Sequence, residues 1–252
     1  AERLAAEAKP STAAALVPML RLARLPAFLN GLGNLVQKGD WGADQYFGLL
    51  DFGQFDALAE VGSACFGAVV VNRSAWERIR GLDPGYGSFY EDADWSFRAR
   101  LAGYRLLAAP RARAYHAFGG SYPAGAKLAL VVKNRQRFVL RSFSGRVRLG
   151  FLKANLKHDG KLILQAIRHR RPREAVPILW GYLRLAGQLP GILAYTWFRR
   201  GRVDRERIDA YFALAGELQK AANEWGEPRL DASIVREYYL PPRPPVPGQQ
   251  RG

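Results

Sequence analysis

The sequence predicts an α/β fold followed by a basic, amphipathic and mostly helical C-terminal region. Three observations predict it. Two short apolar runs in the first half, AAALVPML (13–20) and GAVVVN (67–72), have the length or the β-branching of buried strands. A glycine-rich turn there leads into a helix whose apolar residues Trp95, Ala99 and Ala102 recur at helical spacing. From Ala124 onward, long stretches interleave lysine and arginine with leucine, isoleucine and phenylalanine, as amphipathic helices do.

Taken in order, residues 1–9 read as the end of a helix already under way, stopped by Pro10. With no start methionine, an excised or processed chain is expected. Residues 13–20 form a buried strand. The stretch Asn30–Gly62 is rich in glycine, aspartate and aromatics, without periodic runs. It predicts a long functional loop region with short strands. Residues 67–72 form a second buried strand, and Ser74 caps the short helix SAWERI after it. Asp83-Pro84-Gly85 and Gly87 supply turn chemistry, a helix follows over about 92–102, and Gly103 ends it. YRLLAA and ARAYH are two short strands separated by Pro110.

Beyond Ala124, helices are expected over 126–143 and 147–171, then an almost wholly apolar stretch over 175–198 and a charged amphipathic helix over 203–225. The tail PPRPPVPGQQRG is expected to be disordered or polyproline-like. These features divide the chain into residues 1–123, 124–240 and 241–252. The apolar stretch is not expected to cross a bilayer. Arg184 lies in its middle, Pro190 interrupts it, and Ile178–Leu189 is only 12 residues, against the roughly 17–25 that spanning needs. An in-plane or re-entrant segment fits better.

Charge is unevenly spread. The net charge is +16. Residues 1–130 carry 14 lysines and arginines against 12 acids, and residues 131–252 carry 24 against 10. Within residues 131–173 there are 13 basic residues and a single acid, Asp159. Such asymmetry points to a polyanionic partner. Phe151, Leu152, Leu156, Leu162, Ile163 and Ile167 stand beside Lys153, Lys157, Lys161 and Arg168, a pattern that lies on anionic membranes. Nucleic acid is not the expected partner, because the basic segment has few aromatics and no RNA- or DNA-binding motif. The single cysteine, Cys65, excludes an intrachain disulfide and fits a reduced setting.

The chemistry-bearing cluster is Glu91, Asp92 and Asp94, between the glycine-rich turn and the start of a helix. Carboxylates at a helix N-terminus offset the dipole there. A carboxylate held rigidly at a loop-to-helix junction can also face a cleft as a general base or metal ligand. Tyr86, Phe89, Tyr90 and Trp95 surround it, as core or as a sugar-stacking wall.

The string FYEDADWSFRARLAGYRLLAAPRARAYH resembles the second half of bacterial family 2 glycosyltransferases, above all the rhamnosyltransferase-like members. These carry an ED-x-D-x-x-x-R block, a GY pair and a histidine after a P-x-A segment. LPAFLNGLGNLVQKGD (25–40), DFGQFDALAEV (51–61) and GSACFGAVVVNRSAWERIRGLD (62–83) are similar to the family's lead-in and to the segment joining donor and acceptor sites. The likeness spans residues 1–145.

The resemblance implies a partial GT-A fold and inverting transfer of a sugar from a nucleotide-sugar to a lipid-linked or cell-surface glycan. Asp92 matches the general base, and Glu91 orients it or touches the acceptor. Asp94 and Arg98 pair structurally. His116 matches a ligand of Mg²⁺ or Mn²⁺. Tyr90, Trp95, Gln54 and Asp56 are the expected acceptor contacts, and Lys133, Arg135, Lys153, Lys157 and Lys161 the expected phosphate or membrane contacts. The implied location is the cytoplasmic face of the bacterial cell membrane, as a peripheral protein. The family's aspartate-rich nucleotide motif precedes the matched region, so the chain alone is expected to be inactive, and Cys65 and Phe66 stand where the family has small residues. The alternatives are a non-catalytic membrane-binding module and, less favoured, a nucleic-acid-binding protein.

Overall fold

Strand β1 (Ala13–Leu22) is the centre of the sheet, and its composition explains why: all but two of its residues are buried. So continuous an apolar run suits a strand paired on both edges and covered on both faces. In the computed structural model, which describes residues 13–36, 43–57, 59–117, 123–198, 205–224 and 230, strand β6 (Arg105–His116) runs parallel to β1 along its whole length. Strand β2 (Leu25–Gly31) pairs antiparallel with the C-terminal part of β1, and β5 (Val70–Val71) with its N-terminal part. Strands β3 (Asn34–Leu35) and β4 (Ala43–Asp44) form a separate two-residue ladder. The chain is thus mixed α/β, and the aperiodic 30–62 stretch holds short strands as expected. The helix expected over 1–9 and the proline-rich tail lie outside the described residues.

Three local expectations are corrected. Only Val70 and Val71 of the 67–72 run are strand, and Val70 is 47% exposed, because two residues at the sheet edge bury only one side. The first helix, α1 (Arg73–Ile79), is capped by Asn72, not Ser74; the Asn72 side chain accepts from the Ser74 and Ala75 amides. Pro110 does not divide two strands. It falls where the register with β1 jumps from Pro18↔Ala109 to Met19↔Arg113, so β6 continues past a bulge that absorbs the residue with no N–H.

Helix α2 (Glu91–Leu101) joins the two halves. Trp95 and Ala99, one turn apart, pack into a core with Met19, Phe55 and Leu106. Ala93 and Phe97, also one turn apart, pack into a second core with Phe138, Phe143 and Tyr211. The helix is sandwiched and has no fully polar face. The second core contains residues from both sides of the 123/124 boundary, so those regions share one interior.

The helical half comprises α3 (Ala124–Ser142), α4 (Gly145–Arg168), a 3₁₀ turn (Pro172–Ala175), α5 (Val176–Ala186), α6 (Leu189–Phe198) and α7 (Arg205–Glu224). Helices α3 and α5 approach closely at Gly181, where a Cβ would stand 2.7 Å from the Ala129 carbonyl oxygen. The apolar 175–198 stretch is divided between α5 and α6. Among the described residues no helix is long and apolar enough to cross a membrane.

Candidate active site

The turn before α2 is bent against its preferences. Phe89 and Tyr90 both adopt left-handed backbone, at φ 68 and 70, which costs a non-glycine residue energy and persists only when its surroundings impose it. Helix α3 imposes it. Asn134 Nδ2 reaches the carbonyl oxygens of Tyr86, Ser88 and Phe89 at 3.0, 2.6 and 2.7 Å. Lys133 Nζ donates to the Gly85 and Tyr86 carbonyls at 3.0 and 3.1 Å. The bend starts α2 at Glu91 and turns Asp92 toward the β3–β4 ladder.

A chain of side-chain bonds and strand pairing then leads from Asp92 through Asn34, Asp44 and Asn30 to His116. Its Oδ1 accepts from the Ala93 amide at 2.7 Å and its Oδ2 from Asn34 Nδ2, on β3, at 2.9 Å. The Phe66 amide also donates to it. On β4, Asp44 Oδ2 accepts from Asn30 Nδ2 of β2 at 2.7 Å. The Asn30 Oδ1 lies 2.8 Å from His116 Nδ1 at the end of β6. Because the amide nitrogen of Asn30 faces a carboxylate, its oxygen must face the imidazole. Nδ1 then carries the proton and Nε2 the lone pair.

The electrostatics favour proton transfer. Burial pushes Asp92 up to about 6, and the negative charge of Asp44 adds to the shift. Burial lifts Asp44 to about 6 against the opposing Asn30 bond and Lys127 charge. Burial, then the Asp92 charge, raises Glu91 to about 7. Cys65 is pushed far above its usual range by burial and then by all three acids, which makes it a poor nucleophile. Burial lowers His116 and favours the neutral ring. Three neighbouring carboxyls thus titrate near neutrality, where a base can still take a proton and give it up. Two acceptors at the cluster, Asn34 Oδ1 and Glu91 Oε2, are buried without a hydrogen-bond partner among the described residues. Buried orphan acceptors of this kind call for a donor.

The other expected site residues divide. Asp94 and Arg98 pair as expected, Nε to Oδ2 at 2.7 Å, and Arg98 also holds the Ile79 and Gly81 carbonyls. Trp95 is not an acceptor platform. It is fully buried against Trp76 and Phe66, since its position on α2 faces the sheet. Tyr90 is 6% exposed and packs on Phe138, so its ring is core as well. Gln54 spends its amide on the Leu50 carbonyl and the Phe52 amide, within its own loop. Asp56 is exposed on that loop.

Lys133 and Arg135 do not meet a headgroup. Lys133 clamps the turn, and Arg135 is 2% exposed, bonded to both Asp159 oxygens at 2.7 and 2.6 Å. The one acid of the basic segment is there to neutralise the arginine that α3 buries. Lys153, Lys157 and Lys161 are exposed on α4 as expected. Sequence reasoning missed Asn30, Asn34 and Asp44; their stretch has no periodic pattern, and its only signal was its density of small polar residues.

Among the described residues no three His, Cys, Asp or Glu side chains are arranged to hold a metal ion. His116 has the ligand form, a neutral ring with one nitrogen fixed by a neighbour. No family model and no curated protein matches the chain.

Proposed function

We propose that this chain carries the acceptor side of an inverting, GT-A-type family 2 glycosyltransferase, with Asp92 as general base. The observation that carries the proposal is the Asp92 carboxyl: lifted to about 6, held by Asn34 and two backbone amides, at the start of a helix whose turn is forced into place. The ED-x-D…H resemblance supports it independently, since its acid and its histidine are joined to one cluster through Asn30, Asp44 and Asn34. The orphan acceptors suit a hydroxyl-rich ligand.

In the proposed step the acceptor hydroxyl gives its proton to Asp92 as its oxygen bonds to the anomeric carbon. The bond from that carbon to the nucleotide diphosphate breaks, and the diphosphate leaves with the electron pair. The sugar passes through an oxocarbenium-like state. Glu91, half protonated near neutral pH, is placed to donate to an acceptor oxygen. His116 fits one ligand position of a Mg²⁺ or Mn²⁺ ion, with Asn30 fixing its tautomer; the ion would neutralise the departing diphosphate. The described residues supply no full ligand set, and in this family the donor-binding half precedes the matched segment. The experiment is therefore sugar transfer from a panel of nucleotide-sugars, using a polypeptide that joins this chain to a donor-binding half. Transfer to a glycan acceptor supports the assignment; nucleotide-sugar binding without transfer to any acceptor counts against it.

A second reading, a membrane-binding module, is favoured by one observation. Leu149, Leu156, Leu164, Leu179, Leu183 and Phe198 are all more than half exposed on α4–α6, beside the exposed lysines of α4. The two readings are compatible in a peripheral enzyme at the cytoplasmic membrane face.

A further inference from the structure

An apolar groove of about 590 Å³ lies between α5, the N-terminal part of α3 and the Gly87–Ser88 turn. Ala126, Ala129 and Trp180 line its length, and Arg184 lines it as the charged member. Its volume is that of small-molecule sites. Three features say what covers it. First, the groove opens onto the apolar surface of α5, where Val176, Leu179, Trp180 and Leu183 are 58, 56, 52 and 61% exposed.

Second, positive charge is in excess around its lining Arg184. Burial, followed by the charges of Arg184 and Arg137, lowers Lys133 to about 8. The nearby Asp83 is already engaged by Arg137 and Arg141. Neither Arg184 nor Lys133 has an ion-pair partner among the described residues. Third, Ser88, on the groove wall, is four residues from Asp92, across the turn that Asn134 clamps.

We propose that this groove holds the hydrocarbon chain of a phosphate-bearing lipid, with the phosphate against Arg184 and the chain continuing over Trp180 toward the exposed face of α5. An apolar trough lined by a cation with no ion-pair partner among the described residues, on a surface already apolar, matches an anionic amphiphile better than a free sugar. As an acceptor-carrier site it rests on the proposed transfer reaction; as a lipid site it does not.

The test is calorimetric titration of the 252-residue chain with farnesyl phosphate below its micelle concentration, beside farnesol and inorganic phosphate. Saturable binding of farnesyl phosphate is expected, with inorganic phosphate at least about tenfold weaker. Ala126→Phe, at an exposed position, fills the groove and weakens binding by about tenfold or more. Arg184→Glu, also exposed, weakens farnesyl phosphate similarly and leaves farnesol within about twofold. Absent binding, or affinity unchanged in both folded variants, overturns the proposal. So does an equal loss in Lys153→Glu/Lys157→Glu, which would put the lipid on α4. No transfer is read, so failure here leaves the assignment of Asp92 untouched, and failure of that assignment leaves this site standing.

Discussion

Asn34 Nδ2 donates to Asp92 Oδ2 across 2.9 Å, linking a two-residue strand to a helix N-terminus 58 positions away. A hydrogen bond to the ionised carboxyl favours that form and fixes its direction. Asn34→Ala therefore raises the Asp92 pKa further. The acid limb of the transfer rate against pH moves upward, and kcat falls more than KM rises. A pH profile of the variant checks both.

Asp44 works in the opposite sense, because its negative charge makes Asp92 harder to ionise. Asp44→Asn keeps an acceptor for Asn30 and moves the acid limb downward. The variant also changes stability in a defined window. Asp44 sits at 3.8 unperturbed and about 6 in the fold, so the native state holds its proton more tightly than the unfolded chain. Its stability contribution is favourable below pH 4, declines as pH rises to about 6, and is a constant penalty above. Relative to wild type, Asp44→Asn gains on the order of 1–3 kcal/mol between pH 4 and pH 8. Urea melts at the two values read the difference.

The Arg135–Asp159 pair is sealed, at 2% and 1% side-chain exposure, and Tyr182 Oη adds a 2.7 Å bond to Asp159. Removing one partner strands the other charge. Asp159→Ala costs about 3–5 kcal/mol and is seen in chemical denaturation. Replacing both with apolar residues of similar volume, Arg135→Met with Asp159→Leu, recovers most of that loss.

Lys153→Glu/Lys157→Glu/Lys161→Glu reverses three exposed charges on α4. At about 1 kcal/mol per basic residue near an anionic surface, partition onto phosphatidylserine vesicles falls by about a hundredfold or more. Binding to neutral vesicles changes little. Sedimentation with the two compositions measures both.

Much of this architecture was legible in the sequence, and its failures share a cause. Helix α2 and the helical half follow from local periodicity. Asp92, Glu91 and His116 follow from one contiguous motif. Asn30 and His116 are 86 positions apart, and no local pattern announces that β1 and β6 lie side by side to bring them together. Trp95 and Arg135 were misplaced for another reason: an aromatic beside a carboxylate, or a cation in a basic run, carries no sign of whether it faces the core. In α2 two apolar faces left Trp95 no exposed side. In α3 a single aspartate 24 residues on made burial of Arg135 affordable.

The most direct test is the transfer rate of Asp92→Asn against wild type, each joined to a donor-binding half, from pH 5 to 8, with the melting curve recorded beside it. Wild type is expected to gain activity through about pH 6, where Asp92 ionises. Above about pH 7 the variant is expected to be about 10²–10⁴-fold slower, the gap narrowing below pH 6 as wild type loses its base, while it melts within a few degrees of wild type. A folded Asp92→Asn protein with turnover close to wild type, or a rate that ignores pH across that window, contradicts the base assignment.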